Sequence, residues 1–220
     1  MNTPISKHAT NPSFLIIGAQ KCATTWLSNT LNKHPEIFIP EQKEIHFFNK
    51  TYNYNKGFSW YREHFDDCSE TQIAGEATPN YLWTSANDRD LKESHRTTNI
   101  PGLVHKHLPD IKLIIILRDP VKRAISAFNH HIRDRAFHPS SNIMNVGHRR
   151  GTLSMGFYDI DLAAWFDYFS SEQFKIIIFE NGIKKNKKRT INEIFDFQSF
   201  IYSVFSEKRN IITCDSIGFY

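Results

Sequence analysis

Across its 220 residues the sequence shows little sign of a segment that carries proteins into or across membranes, and we expect none. No apolar run approaches the roughly 20 residues that a transmembrane helix needs. Residues 1–12 are a polar leader without the apolar core of a signal peptide. Cysteine is scarce as well: Cys22, Cys68 and Cys214 are scattered, odd in number and form no C-x-x-C pair. This argues against a disulfide framework or a zinc site and favours a reducing compartment. We therefore expect a cytoplasmic protein with no membrane span.

The chain also has little excess of charge of either sign. Basic residues outnumber acidic ones by only 27 to 23, which gives a net charge of +4. This is a mild preference for anionic ligands and not the signature of a nucleic-acid-binding protein. His105, His107 and His131 have no metal-ligand spacing, so no metal site is expected. The length suits a single α/β domain, and we predict that residues 1–220 form one.

Short apolar runs alternate with helical patterns along the chain. Buried parallel strands are predicted at residues 14–17, 112–117 and 175–179, and a strand followed by a turn within 73–82. Helices are predicted from Trp26 onward, at 121–133 and at 162–169, with a long surface loop at 134–156. This alternation predicts a three-layer α/β fold around a central, mainly parallel sheet. In such folds, ligands bind beyond the carboxyl ends of the strands.

The first strand leads into a loop and helix, FLIIGAQKCATTWL, residues 14–27. A strand, a glycine loop and a helix start together direct backbone N–H groups at an anion. A Walker A loop reads G-x-x-x-x-G-K-[ST], but here Ala23 and Thr24 occupy the second glycine and lysine positions. The lysine of this loop is Lys21, only three residues after Gly18. The loop therefore predicts a P-loop-like phosphate cradle that does not suit ATP with Mg²⁺.

A second strand-turn-helix, KLIIILRDPVKRAISAFNHH at residues 112–131, carries Arg118 at the strand end and Ser126 on the helix. A guanidinium forms bidentate, charge-assisted bonds with phosphate oxygens. Together these residues could hold a second phosphate. The alternative is a surface ion pair between Arg118 and Asp119, with no role for Ser126.

Together the two motifs resemble the 5′-phosphosulfate loop and 3′-phosphate motif of sulfotransferases that use 3′-phosphoadenosine 5′-phosphosulfate (PAPS). Three other segments share the resemblance: EQKEIHFFNK (41–50), GEATPNYL (75–82) and YDIDLAAWFDYF (158–169). The phrase that begins EIHFFNK is most similar to the heparan sulfate N- and 3-O-sulfotransferases. The resemblance implies transfer of a sulfuryl group from PAPS to a hydroxyl or amine, with PAP as product. The implied acceptor is a carbohydrate or a small molecule.

The resemblance also implies roles for individual residues. Lys21 would contact the phosphosulfate, Arg118 and Ser126 would hold the 3′-phosphate, and Glu44 would be the general base. His130 is a further catalytic candidate, and His46 also falls in a matched segment. Thr24, Thr25 and Trp26 would hold the 5′-phosphate. The other cofactor-binding positions of the loop would be Gln20, Lys21, Cys22 and Ala23, where Cys22 reads as a small filler.

The chemistry of the residues agrees with these roles. A fixed ammonium and aligned N–H groups can stabilise charge on the leaving phosphate oxygen without a metal, and a carboxylate can take the acceptor's proton. We expect burial beside Ile45, Phe47 and Phe48 to raise the pKa of Glu44. The alternative is a solvent-facing glutamate in a charged turn with Glu41 and Lys43.

The chain departs from the family pattern in three places. Ala23 replaces a glycine, and Ala77 stands where several heparan sulfate enzymes have a lysine. The Lys-Gly-Arg type loop that closes over the cofactor is not found, and only Lys208 and Arg209 could substitute for it. A non-catalytic relative that binds PAPS or PAP is therefore an alternative, and a P-loop kinase is a weaker one. The cluster KKNKKR (184–189) fits an attractor of anionic acceptors or, better, a solvated helix face.

Overall fold

A computed structural model describes residues 11–86 and 95–205. Lys208, Arg209 and Cys214 lie outside the described residues, as does most of the polar leader.

A parallel sheet forms the centre of the protein. Its five strands within the described residues are β1 (Phe14–Gly18), β2 (Ile37–Phe38), β3 (Ile73–Ala77), β4 (Lys112–Leu117) and β5 (Phe174–Ile178). They are ordered β2-β3-β1-β4-β5, and every pair of neighbours runs parallel. The predicted α/β fold with a central parallel sheet is confirmed.

Helices flank this sheet. They are α1 (Thr24–Leu31), α2 (Thr51–Tyr54), α3 (Phe58–Glu63), α4 (Ile100–His107), α5 (Pro120–Arg133), α6 (Ile143–Val146), α7 (Tyr158–Phe166) and α8 (Lys187–Phe205). Helix α1 packs on β1 and β3, and α8 packs on β5. Within the described residues, no helix is long and apolar enough to cross a bilayer.

Local chemistry explains where the best-predicted helix begins. Pro120 occupies the first position of α5, where its missing N–H costs nothing. The Asp119 side chain accepts a hydrogen bond of 2.8 Å from the Lys122 N–H and so caps the helix. The predicted helix at 121–133 thus begins one residue earlier, at Pro120, and ends at Arg133 as expected.

Two expectations need correction. The run at 175–179 forms β5, but it is not fully buried, since Ile176 and Ile178 are 38% and 47% exposed. Its position at the sheet edge explains this exposure. The predicted loop at 134–156 contains the short helix α6 and a 3₁₀ turn at Ser154–Gly156. The fully buried Arg123 holds this segment by donating hydrogen bonds to the carbonyls of Gly151 and Thr152.

The order of the strands brings three connections to the same edge of the sheet. Strands β2 and β3 lie on one side of β1, and β4 and β5, which follow later in the chain, lie on the other side. The strand order therefore reverses at β1. The Ala19 N–H donates to the Ile116 carbonyl of β4 at 2.9 Å, and the Leu82 N–H donates to the Ile17 carbonyl at 2.8 Å. The loop after β1, the turn after β3 and the end of β4 therefore meet where such folds bind ligands.

Candidate functional site

Residues 18–25, here called the phosphate loop, connect β1 to α1. A Cβ on Gly18 would lie 2.5 Å from the Cβ of Leu82, so only glycine allows this close approach. Lys21 and Ala23 have φ angles of 66° and 69°, in the left-handed region. The Leu27 N–H donates to the Ala23 carbonyl at 3.0 Å. The N–H groups of Thr24, Thr25 and Trp26 precede this bond, in the first turn of α1, where N–H groups have no acceptor within the helix. Such groups at a helix N-terminus favour a bound anion.

A cavity of about 350 Å³ opens in front of this loop. Its lining residues are Gln20, Lys21, Ala23, Thr24, Thr25, Lys43, Glu44, Pro79, Asn80 and His130. The structure thus gathers most of the phosphate loop with the predicted base and His130 around one space. Cys22, Trp26, Arg118 and Ser126 do not line this cavity.

Lys21 extends from the phosphate loop into a region of mixed charge. Partial burial, followed by the positive charge of Arg133, lowers the pKa of Lys21, while Asp134 and Glu44 act in the opposite direction. Lys21 and Glu44 both line this cavity. A cation and a carboxylate on one small cavity can act on two sides of a transferred group.

Glu44 belongs to residues 43–49, here called the Glu44 segment. Its side chain is 38% exposed, with Lys43 Nζ at 2.9 Å from Oε1 and His46 Nε2 at 3.4 Å from Oε2. Desolvation raises the pKa of Glu44, but hydrogen bonds from His46 and Lys43 outweigh it and lower the pKa to about 2. The expected raised pKa was therefore wrong. The apolar neighbours of Glu44 turn into the core, whereas its carboxylate faces the cavity between the Lys43 ammonium and the His46 ring.

Lys43 lines the cavity, although from the sequence it was expected only to belong to a charged turn. Its Nζ donates to Thr25 Oγ1 at 3.0 Å as well as to Glu44 at 2.9 Å. Lys43 thus bridges the phosphate loop and the Glu44 segment. Its position directly before Glu44 was the available signal, but one lysine in a turn with other charges is not distinctive.

The two histidines of the matched segments occupy different positions. His130 lines the cavity, and its Nε2 lies 3.1 Å from Asp134 Oδ2, one helical turn further along α5. His46 contacts Glu44 directly, and its Nδ1 lies 3.2 Å from Asn49 Oδ1. His46 is therefore the histidine that touches the predicted base.

Arg118 lies at the carboxyl end of β4, behind the phosphate loop. Its Nη1 donates to the Lys21 carbonyl at 3.3 Å, and its guanidinium lies 4.9 Å from the centre of the Phe179 ring. The Tyr158 hydroxyl donates to the Arg118 carbonyl at 3.0 Å. Arg118 Nε is buried and has no acceptor within the described residues. The Asp119 carboxylate caps α5 through the Lys122 N–H, so its role is to begin that helix.

The remaining predicted ligands lie around the loop. Ser126 is half-buried on α5. Trp26 is partly buried, and the Lys187 ammonium lies 5.6 Å from the centre of its ring. Cys22 is buried behind the loop with its Sγ 3.9 Å from the Tyr158 hydroxyl, and burial raises the pKa of its thiol to about 11. A thiol of this kind is a space filler and not a nucleophile.

No group of three or more potential metal ligands occurs among His, Cys, Asp and Glu residues in the part of the chain that the structure describes. The cavity lining offers instead two lysines, one carboxylate, the His130 imidazole and the side chains of Gln20, Thr24, Thr25 and Asn80.

Comparison with known proteins points to one family. A family model described as "Sulfotransferase domain" matches residues 11–210. Human heparan sulfate glucosamine 3-O-sulfotransferase 5 is 30% identical over 179 residues, which cover 76% of this chain and 47% of that protein. The membrane-associated sulfotransferase kil1 of Dictyostelium discoideum is 34% identical over 125 residues, 56% of this chain and 23% of that protein. The chain thus spans less than half the length of these curated relatives.

Solved structures agree on the fold. A sulfotransferase from Alicyclobacillus acidocaldarius superposes with a TM-score of 0.69 at 26% identity, covering 86% of this chain and 81% of that one. The mouse sulfotransferase SULT7A1, complexed with PAP, superposes with a TM-score of 0.52 at 18% identity, covering 86% and 58%.

Proposed function

Because the chain belongs to the sulfotransferase domain family, we propose that it transfers a sulfuryl group from PAPS to a hydroxyl or amine of a carbohydrate. The observation that carries this proposal is the meeting of the phosphate loop, Lys21 and Glu44 on one cavity. The glycan acceptor follows from the relatives, whose names specify heparan sulfate glucosamine.

The residues of the site fit the donor. The N–H groups at the start of α1 and the Thr24 and Thr25 hydroxyls suit a 5′-phosphate. Arg118 offers a buried Nε without an acceptor in the described part of the chain, as a bound phosphate requires. With Ser126 on the helix that follows, Arg118 would hold the 3′-phosphate. The donor supplies the sulfuryl group, and the side chains bind it, orient it and move one proton.

The reaction we propose is a single displacement. The acceptor oxygen or nitrogen forms a bond to sulfur while the bond from sulfur to the phosphate oxygen breaks. The acceptor proton passes to a Glu44 carboxylate oxygen. The Lys21 ammonium stabilises the negative charge that develops on the phosphate oxygen. The products are a sulfated acceptor and PAP, and the proton later leaves Glu44 for solvent.

Lys43 explains how a carboxylate with a pKa of about 2 could accept a proton. A general base works best when its pKa is near the working pH. Lys43 holds Glu44 and Thr25 together. We infer that an anionic donor at Thr25 competes for the Lys43 ammonium, so that Glu44 loses one cationic partner. Loss of that partner would make Glu44 a stronger base when the donor is bound.

The test is direct transfer. The protein would be incubated with ³⁵S-labelled PAPS and a panel of heparan sulfate, N-desulfated heparin, neutral oligosaccharides and small alcohols. We expect label in at least one carbohydrate, and a rise in melting temperature with PAP that exceeds any rise with Mg-ATP. Binding of PAP without transfer to any acceptor would favour the non-catalytic relative. Absence of both transfer and PAP binding would overturn the proposal, and a larger shift with Mg-ATP would favour a kinase.

We further propose a cytoplasmic location, which Cys22 and Cys68 support because both are free thiols in the structure. Fractionation of producing cells, with the protein followed by immunoblotting, would test it. Recovery in a secreted or membrane fraction would contradict it.

A further inference from the structure

A buried carboxyl group lies behind the Glu44 segment, outside the cavity. Glu76 is fully buried on β3, which pairs directly with β1. Three hydroxyl groups surround its carboxylate: Tyr61 Oη at 2.6 Å, Thr78 Oγ1 at 2.5 Å and Tyr81 Oη at 2.8 Å. Burial raises the pKa of Glu76, and the three hydroxyls oppose that rise. A buried polar group of this kind is costly to leave unpaired, so its hydroxyl partners hold fixed orientations.

The hydroxyls of Tyr81 and Thr78 also contact the backbone of the Glu44 segment. The Phe47 N–H donates to Tyr81 Oη at 3.0 Å, and the Phe48 N–H approaches the same oxygen at 3.5 Å. The His46 N–H lies 3.5 Å from Thr78 Oγ1. A hydroxyl has a single proton, and an N–H can only donate. Tyr81 and Thr78 must therefore accept from the backbone and donate to Glu76, which fixes the direction of each bond.

These bonds hold a strained backbone. His46 has a φ angle of 56°, in the left-handed region that strains the backbone of a non-glycine residue. On its other side, Asn53 Nδ2 donates to the Ile45 carbonyl at 2.9 Å. The segment is thus held through its N–H groups by the Glu76 cluster and through a carbonyl by Asn53. The result is the 3.4 Å contact between the His46 ring and Glu44.

We propose that Glu76 is a positioning residue that, through Tyr81 and Thr78, holds the Glu44 segment so that Glu44 and His46 face the acceptor. The inference rests on the proposed function, since it concerns the base of that reaction. Glu76 touches neither the cavity nor the reacting groups. It acts by orienting two hydroxyls that receive three successive backbone N–H groups.

Tyr61 provides a matched control. Tyr61 and Tyr81 are both fully buried, and each donates one hydrogen bond to Glu76. Of the two hydroxyls, Tyr81 Oη also contacts the Phe47 and Phe48 N–H groups. The variants Tyr81→Phe and Tyr61→Phe therefore remove the same group from the same carboxylate, but one of them also releases the Glu44 segment.

The experiment compares these two variants in sulfuryl transfer and in NMR spectra. For Tyr81→Phe we expect kcat to fall about 10-fold or more, since small displacements of a catalytic group are costly. The KM for PAPS should stay within about twofold, because the phosphate loop is untouched, and Tyr61→Phe should keep a near-normal kcat. Thermal unfolding of both variants shows whether each is folded. Glu76→Gln, which keeps the volume but weakens the acceptor, should resemble Tyr81→Phe.

Equal losses of kcat in Tyr81→Phe and Tyr61→Phe would overturn the inference. A second measurement does not depend on activity. The Phe47 amide proton and the His46 ring resonances should move in Tyr81→Phe and stay in place in Tyr61→Phe. If the wild-type protein transfers no sulfate, the proposed function fails, and the spectra still decide whether Glu76 and Tyr81 hold the segment. Unchanged His46 resonances in a folded Tyr81→Phe protein would refute it.

Discussion

The phosphate loop and the Glu44 segment face each other across one cavity, but they are held in place in different ways. The phosphate loop is continuous with a buried strand and a helix, and in the proposed complex backbone N–H groups would supply much of its binding. The Glu44 segment lies between β2 and α2 in irregular backbone, and side chains from β3 and the following turn support it. One site thus combines a half that regular structure determines with a half that depends on particular buried hydroxyls.

This difference predicts how each half responds to mutation. Side-chain changes in the phosphate loop should affect charge at the anion while the backbone cradle remains. In the Glu44 segment, changes should affect the position and ionisation of the base. The following predictions test that distinction.

The largest effect should come from Glu44→Gln. The amide cannot take the acceptor proton, so we expect the transfer rate to fall about 10²–10⁴-fold. PAP affinity should change little, because the phosphate loop stays intact. Single-turnover kinetics and PAP titration would measure the two quantities. Glu41→Gln removes an exposed carboxylate from the same turn and should retain activity. A Glu44→Gln variant with near-normal turnover would rule out Glu44 as the base.

Glu44 also predicts a dependence of stability on pH. Its pKa falls from an ordinary value of 4.5 to about 2 on folding. The stability gained from this shift is fully present above pH 4.5 and is lost as the pH falls toward 2. The difference in unfolding free energy between wild type and Glu44→Gln should be constant from pH 7 to pH 5 and shrink below that. Urea denaturation at several pH values measures it, and a difference that grows with acidity would contradict the shift.

Lys21→Met tests the phosphate loop. Loss of the ammonium should lower the transfer rate about 10²–10³-fold, as expected when one group that stabilises transition-state charge is removed. PAP should still bind, since the N–H groups of the loop and Arg118 remain. Lys33→Met, at an exposed position just after α1, is the matched control. If Lys33→Met lowered the rate as much as Lys21→Met, net charge and not the position of Lys21 would explain the effect.

Gly18→Ala should weaken the base of the phosphate loop. The new Cβ would meet the Leu82 side chain at 2.5 Å, and overpacking of this kind costs about 1–3 kcal/mol. Denaturant unfolding would measure the loss of stability, and PAP binding should weaken with it because the loop must shift. An unchanged unfolding midpoint would mean that β1 and the turn after β3 can separate without cost.

Ala23→Gly should have the smallest effect and the opposite sign. Ala23 adopts left-handed backbone with φ 69° and ψ 24°, which glycine tolerates without strain. We expect a gain of up to about 1 kcal/mol, partly offset by the greater freedom of glycine in the unfolded chain. Ala163→Gly, at an exposed position in α7, should instead lose about 1 kcal/mol. Destabilisation of both variants would show that the loop conformation does not strain Ala23.

Much of the fold and of the phosphate loop could be predicted from the sequence because periodic patterns encode them. The apolar runs of β1 and β4, and the Asp-Pro start of α5, specify their elements locally. The two-residue strand β2 was missed because it is too short to show a period. The exposure of β5 was missed because its edge position depends on the topology of the whole sheet.

The Glu44 segment shows where prediction from sequence ends. Glu44 could be identified from its motif, but its pKa depends on Lys43 and His46. Which way a side chain turns in irregular backbone follows no local periodicity. Tyr81 and Glu76, which support this segment, lie about 30 positions away from it in the sequence. Glu76 can be recognised as unusual only from the structure, which shows that it is fully buried within β3.

Arg118 has a consequence for discrimination between nucleotides. In the proposed complex its buried Nε would pair with the 3′-phosphate, a group that ATP and ADP do not have. With ATP bound, this N–H would stay without the acceptor that it also lacks among the described residues of the free structure, whereas PAPS would supply one. Sites that hydrogen-bond a substrate group can reject the analogue that lacks it by about 10⁴-fold or more. The protein would thus exclude the most abundant cellular nucleotides by leaving one of its own hydrogen bonds unmade, with no need for a steric barrier.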